Sequence, residues 1–229
     1  MTDNSANNKR IAINTILLYI RMLFTMVISL YTSRVILQVL GADDFGIYNV
    51  VGGVVVLFSF LTNAMTSSTQ RFLNYNFGLK NESKVSHIFN VSILTHFTIF
   101  LLVLLLSETV GLWFVMTQLN IPVGRETATM WVYQMSVVTT LIGIMVIPYR
   151  ASIIAAERMS IFAYVSILEV ALKLVVVLVL SYMSFDNLVM YSILLTLVAM
   201  LNFFIYQIEC RRKLSFTKYH FVWDKSQYK

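Results

Sequence analysis

Three charged side chains sit deep inside apolar stretches long enough to cross a lipid bilayer, Arg21, Glu169 and Lys173, and a fourth, Arg34, interrupts one of them nearer its end. A charge facing lipid at the bilayer centre costs about 3 kcal/mol or more, so each must meet water, a counter-charge or a bound ion. Arg21 lies roughly 15 Å along a helix from Ile11, near the middle of a hydrocarbon core about 30 Å thick. Its planar fork of N–H donors suits phosphate oxygens. One expectation is therefore that Arg21 lines a polar cavity and meets an anionic group. The competing one is a purely structural pair with a neighbouring acid. Glu169 and Lys173 are spaced i, i+4 with the acid first, the favourable order on a helix. They either neutralise each other or turn that face into the same cavity. There Glu169 would pair with Arg21 or exchange a proton, and Lys173 would add a second cation.

Other polar residues carry weaker signals. The run Asn63–Arg71 is polar along one side at a helix end. Its hydroxyls and amides either hydrogen-bond sugars or phosphates, with Arg71 at the mouth, or simply reach the headgroups. His96 lies well inside an apolar run and reads as a hydrogen-bonded interior residue. The histidines His87, His96 and His220 are far apart, and Cys210 is the single cysteine. No disulfide framework or cysteine metal site is therefore expected within the chain. No phosphate-binding loop, zinc-protease helix or serine-nucleophile elbow occurs. No metal or other cofactor, and no catalytic residue, is expected.

The elements that position these residues follow from hydropathy. Uncharged runs cover 45–70, 85–107, 127–149 and 187–208; two more apolar stretches, about 11–40 and 159–183, carry only a few charges. Each can cross the membrane as a helix of about 20 apolar residues, which satisfies its own backbone hydrogen bonds in a waterless medium. The expected fold is an all-α membrane protein, a six-helix transmembrane bundle over 1–208, with a polar basic tail over 209–229. Hydrophobic residues make up 58% of the chain and charged residues 12%, against about 25% charged in a soluble domain. That leaves no room for a soluble catalytic domain.

Gly41 is expected to cap the first helix, and Phe45 to begin the second. Gly52 and Gly53 are expected to let another backbone pack closely. Leu112–Phe114 reads as an interfacial aromatic belt after the third helix, and Pro148 is expected to stop or kink the fourth.

The net charge of +6 is not read as a nucleic-acid footprint, because no basic stripe is interleaved with stacking aromatics. Its basic residues sit beside helix ends. Lys9, Arg10, Arg71, Lys80, Lys84, Arg150, Arg158, Arg211, Arg212, Lys213, Lys218, Lys225 and Lys229 fall on one side of the six-span layout, and only Arg34 and Arg125 on the other. This asymmetry predicts that both termini lie in the cytoplasm.

Taken in order, certain segments resemble the polysaccharide flippases of the multidrug/oligosaccharidyl-lipid/polysaccharide exporter superfamily. The resemblance lies in Thr32-Ser-Arg-Val-Ile-Leu-Gln-Val-Leu-Gly-Ala-Asp-Asp-Phe-Gly-Ile-Tyr48, in Ser67-Ser-Thr-Gln-Arg-Phe72, and in Pro148-Tyr-Arg-Ala-Ser152 with Ala156-Glu-Arg-Met159. It implies movement of a polyprenyl-pyrophosphate-linked oligosaccharide across the bacterial inner membrane for surface polysaccharide assembly. It also implies two six-helix lobes around a cavity that opens alternately to each side. Cationic residues meeting the pyrophosphate map onto Arg21, Arg34 and Arg71; Glu169 and Lys173 join them on depth and charge alone. Family members have about twelve to fourteen helices, so this chain resembles an amino-terminal half, its ending resembling the inter-lobe linker. The second lobe would come from a continuation of the chain or from another subunit. The alternatives are a drug/cation antiporter of the same superfamily and a membrane assembly subunit without transport of its own.

Overall fold

The computed structural model describes residues 2–57, 60–79 and 82–217, without the side chains of 2–11, 60–65 and 82. Regular structure among them is helical throughout. In chain order the helices are α1 (Thr2–Leu57), α2 (Phe60–Gly78), α3 (Glu82–Leu106), α4 (Leu112–Thr117), α5 (Glu126–Ala155), α6 (Met159–Leu180) and α7 (Asn187–Lys213), and a 3-10 turn covers Ser215–Thr217.

α1 is two helices joined at one residue. Gly41 has φ 78 and ψ 173, the only non-helical backbone inside it. A side chain at that φ is strained and glycine is not, so the reversal falls there. Before it, Arg21 meets Ser166, and Ile36 packs in one cluster with Val176, Val177 and Leu180. The 2–40 arm therefore runs parallel to α6. After it, Tyr48 stacks edge-on against Tyr191, ring centroids 4.8 Å apart. Val56 has descended to Thr139 and Thr140 of α5. The 42–57 arm thus runs back antiparallel to the first, as the expected Gly41 cap requires.

The remaining directions follow from paired contacts. Tyr133 Oη donates to the carbonyl of Ser107 at 2.6 Å and Phe89 packs on Tyr149, so α3 and α5 are antiparallel. Thr139 meets Thr196 at 3.0 Å and the Cys210 thiol donates to the Tyr149 carbonyl at 3.4 Å, so α5 and α7 are parallel. Among the described residues five helical stretches are long and apolar enough to cross a membrane, the first of them 12–57; counting the reversal at Gly41, five to six spans fit a multi-pass membrane protein. One end of the bundle gathers Arg150, Arg158 and Arg211–Lys213, and the other Asp43, Asp44 and Asp186.

The core is apolar and lies on α5, which touches most of its neighbours. Val132, Tyr133, Val137, Leu141 and Ile144 pack against Val51, Val55, Val103 and Leu188. Towards the basic end Ile153 and Tyr149 meet Phe89, Tyr206 and Cys210. Between residues 12 and 40 α1 is largely exposed, with Ile36 its buried apolar anchor.

Three expected boundaries are corrected. Pro148 does not stop α5, which continues to Ala155. The missing N–H costs a helix about 3 kcal/mol, but Tyr149, Ala151, Ser152, Ile153 and Ala155 beyond it are all buried, and that packing outweighs the cost. The third helix does not end before Leu112–Phe114: a π-helical segment, Ser107–Gly111, carries it on into α4, where Trp113 and Phe114 remain exposed. The extra residue in that turn is held by Tyr133 through the Ser107 carbonyl. Finally, the tail does not begin at 209. α7 runs to Lys213, and buried Leu214 and Thr217 fold back on the bundle, with Phe216 against Phe77. Lys80 and the tail beyond Thr217, His220 included, lie outside the described residues.

Candidate functional site

Arg21 on α1 reaches across to α6, where an aromatic ring and not a carboxylate receives it. Its Cζ lies 4.5 Å from the centroid of Phe162. Nη1 donates to Ser166 Oγ at 3.5 Å, a long bond by normal geometry. Nε is screened from solvent and has no partner among the described residues. No ion pair joins Arg21 to an acid among them either. A guanidinium carries five N–H donors, so most of its donor capacity is unspent. Beside it opens a hollow of ≈ 410 Å³ lined by Thr15, Tyr19, Met22, Met159 and Phe162, with Arg21 the one charged residue on its wall among the described residues.

One helical turn further along α6 stands the ion pair. Lys173 Nζ donates to Glu169 Oε1 at 2.6 Å, and Asn202 Nδ2 on α7 donates to the other carboxylate oxygen at 2.7 Å. The two charges thus pair with each other. Buried Tyr206 lies within electrostatic reach of both Arg21 and Glu169. Arg21, Ser166, Glu169, Lys173 and Asn202 thus form one polar seam along the α1–α6–α7 contact.

Two expected members of the site lie elsewhere. Arg34 is exposed, about 20 Å further along α1 than Arg21. Arg71 is exposed on α2, which packs chiefly on α3 and α5. Neither joins the seam.

The polar run at the end of α2 contributes through Thr69, whose hydroxyl lies 3.2 Å from that of Ser92. His96 is fully buried, with Nδ1 2.8 Å from the Ser92 carbonyl. A carbonyl only accepts, so Nδ1 carries the proton and His96 is the hydrogen-bonded interior residue expected.

Gly52 and Gly53 do not receive another backbone. A Cβ at Gly53 would meet nothing within 4 Å, and one at Gly52 only Ser136 Oγ at 3.8 Å. They floor an uncharged hollow of ≈ 340 Å³ walled by Ser136, Thr139, Thr140 and Ser192. At the acidic end Arg125 binds Asp44 through both Nε, at 2.9 Å, and Nη2, and binds Asp186 through Nη1. Hydrogen bonding to Asp44, then Asp186, holds its guanidinium above the usual arginine value despite some desolvation. This clamp joins the turn after Gly41, the start of α5 and the N-cap of α7.

Sequence reasoning missed Phe162, Ser166 and Asn202. A signal for the first two existed: Phe162, Ser166, Glu169 and Lys173 repeat at spacings of 4, 3 and 4, which places them on one helix face. Asn202 carried no such sign. Among the described residues no cluster of histidine, cysteine and acidic side chains could hold a metal ion. No protein-family model, curated protein or solved structure matches the chain, so the site is read from its own geometry.

Proposed function

We propose that the chain forms one lobe of a transporter that carries a polyprenyl-pyrophosphate-linked oligosaccharide across the bacterial inner membrane, both termini being cytoplasmic. The observation that supports this reading best is Arg21: a cation inside a membrane-spanning segment, with unspent donors, facing a ring and a hollow. Such a group is costly unless an anion completes it. A pyrophosphate supplies acceptor oxygens to the guanidinium fork, and its polyprenyl tail stays in the bilayer. Transport of this kind makes and breaks no bonds, so nothing in the seam needs to act as acid, base or nucleophile.

The lobe reading rests on the seam's position. From residue 12 to 40, α1 packs chiefly on α6 and leaves most of its residues exposed. A second six-helix lobe would close the cavity, and rocking of one lobe against the other around a fixed site gives alternating access. The cation antiporter alternative needs a carboxylate free to exchange its counter-ion, and both oxygens of Glu169 are already taken.

In cells whose surface polysaccharide depends on the complete transporter, Arg21→Ala should abolish the polymer while membrane abundance stays near normal. Arg21→Lys should rescue only part of it, because an ammonium lacks the planar fork. Full polymer with the alanine variant would overturn the role given to Arg21, and loss of the protein itself would mark a structural charge.

A further inference from the structure

A second hollow, unrelated to Arg21, lies between α2 and α3. It is the roomiest described here at ≈ 640 Å³; Ser68, Thr69, Asn76, His87, Ser92 and Thr95 supply most of its polar wall, and Lys84 adds a cation at the basic end. α2 and α3 are antiparallel, since Thr69 pairs with Ser92 and Leu73 clusters with Val85. The groove therefore begins among Tyr75, Asn76 and His87 at the basic end and runs inward to Thr95. That is roughly 12 Å along α3 from His87, well past headgroup depth.

The wall asks for hydroxyl donors. Thr95 Oγ1 donates its proton to the Val91 carbonyl at 2.9 Å, and Asn76 Nδ2 donates to the Phe72 carbonyl at 2.9 Å. Thr69 and Ser92 share a hydrogen bond with each other. Each of these groups keeps acceptor capacity after its own bond is made. His87 Nε2 is screened from solvent and has no partner among the described residues. An acyl chain offers nothing to such atoms, and a bulk phospholipid headgroup stays at the interface. Phe72 and Tyr75 stand at the rim, 57% and 68% exposed, as flat apolar faces beside hydroxyl-binding groups. That combination suits a sugar ring, which has an apolar face and a hydroxyl edge.

We propose that the α2–α3 groove is a glycan subsite, holding sugar residues of the lipid-linked oligosaccharide while the pyrophosphate is met beside Arg21. The ligand's identity rests on the flippase reading above; the groove's preference for a polyol does not. In it the rings of Phe72 and Tyr75 stack on sugars, and Thr69, Ser92, Thr95 and Asn76 accept from their hydroxyls.

The test is photocrosslinking in membranes of the producing cell. p-Benzoylphenylalanine replaces Tyr75 in the full chain in one strain and Met22, which lines the hollow beside Arg21, in another. Irradiation is followed by mass spectrometry of the adducts. Hexose- or hexosamine-bearing adducts at position 75, reduced several-fold by Thr95→Val at equal protein abundance, are the expected result. Adducts at 75 that are only glycerophospholipid, only protein, or absent would overturn the subsite. Should position 22 then still capture a polyprenyl-linked glycan, the groove alone has failed. Should neither position capture one, the flippase reading fails with it.

Discussion

The guanidinium of Arg21 lies over the ring of Phe162, its Cζ 4.5 Å from the centroid, while the nearby Glu169 is held by Lys173 and Asn202. A membrane arginine would ordinarily be neutralised by an acid. Here the ring supplies about 2 kcal/mol of cation–π attraction at a desolvated site, without cancelling the charge. The cation is steadied and remains available to an anion.

Phe162→Leu should therefore lower the melting temperature in detergent by a few degrees, whereas Phe162→Trp, with a stronger π face, should hold it. Equal stability of the leucine variant would show that the ring does not support Arg21.

The Glu169–Lys173 pair should behave as a unit. Glu169→Gln alone leaves the Lys173 ammonium without its partner, and Lys173→Met alone leaves the carboxylate. Each single change should destabilise more than the double change, with a coupling of about 1 kcal/mol or more in a double-mutant cycle. Additive effects would mean that the two charges act separately.

Arg125 should matter for stability at the acidic end. Arg125→Ala strands Asp44 and Asp186 and should cost about 1–2 kcal/mol, measured by thermal unfolding in mild detergent and diminishing in high salt. Because its pKa is raised, the stabilisation holds from about neutral pH up to the ordinary arginine value and is lost only as pH climbs through the raised one. The difference between wild type and variant should be flat from about pH 7 to 10.

Reporter fusions test the layout. Fusions after Asp43 and Asp186 should report the periplasm, and fusions after Arg158 and Lys213 the cytoplasm. A cytoplasmic signal at Asp186 would break the six-span arrangement.

Tyr133→Phe removes the hydrogen bond to the Ser107 carbonyl in the π-helical segment. The carbonyl keeps the backbone N–H of Leu112, so the loss of this one bond should cost about 1 kcal/mol, read as a slightly lower melting temperature.

The sequence by itself determined the class and the reversal. Apolar runs of membrane length admit little but helices, and Gly41 marks the one place where α1 adopts a backbone that favours glycine. It also located Arg21, Glu169 and Lys173 in depth, because hydropathy is a property of position along the chain. Which of them meet was a matter of tertiary structure. A one-dimensional pattern cannot say that α1 leans on α6 and α2 on α3 and α5, so Arg34 and Arg71 read as partners of Arg21 although packing parts them. It also could not say that burial would carry α5 through Pro148, since a proline's local cost is outweighed only by contacts from helices distant in sequence. Phe162 was invisible for the same reason: in an apolar helix a phenylalanine is ordinary until the partner helix sets an arginine on its face.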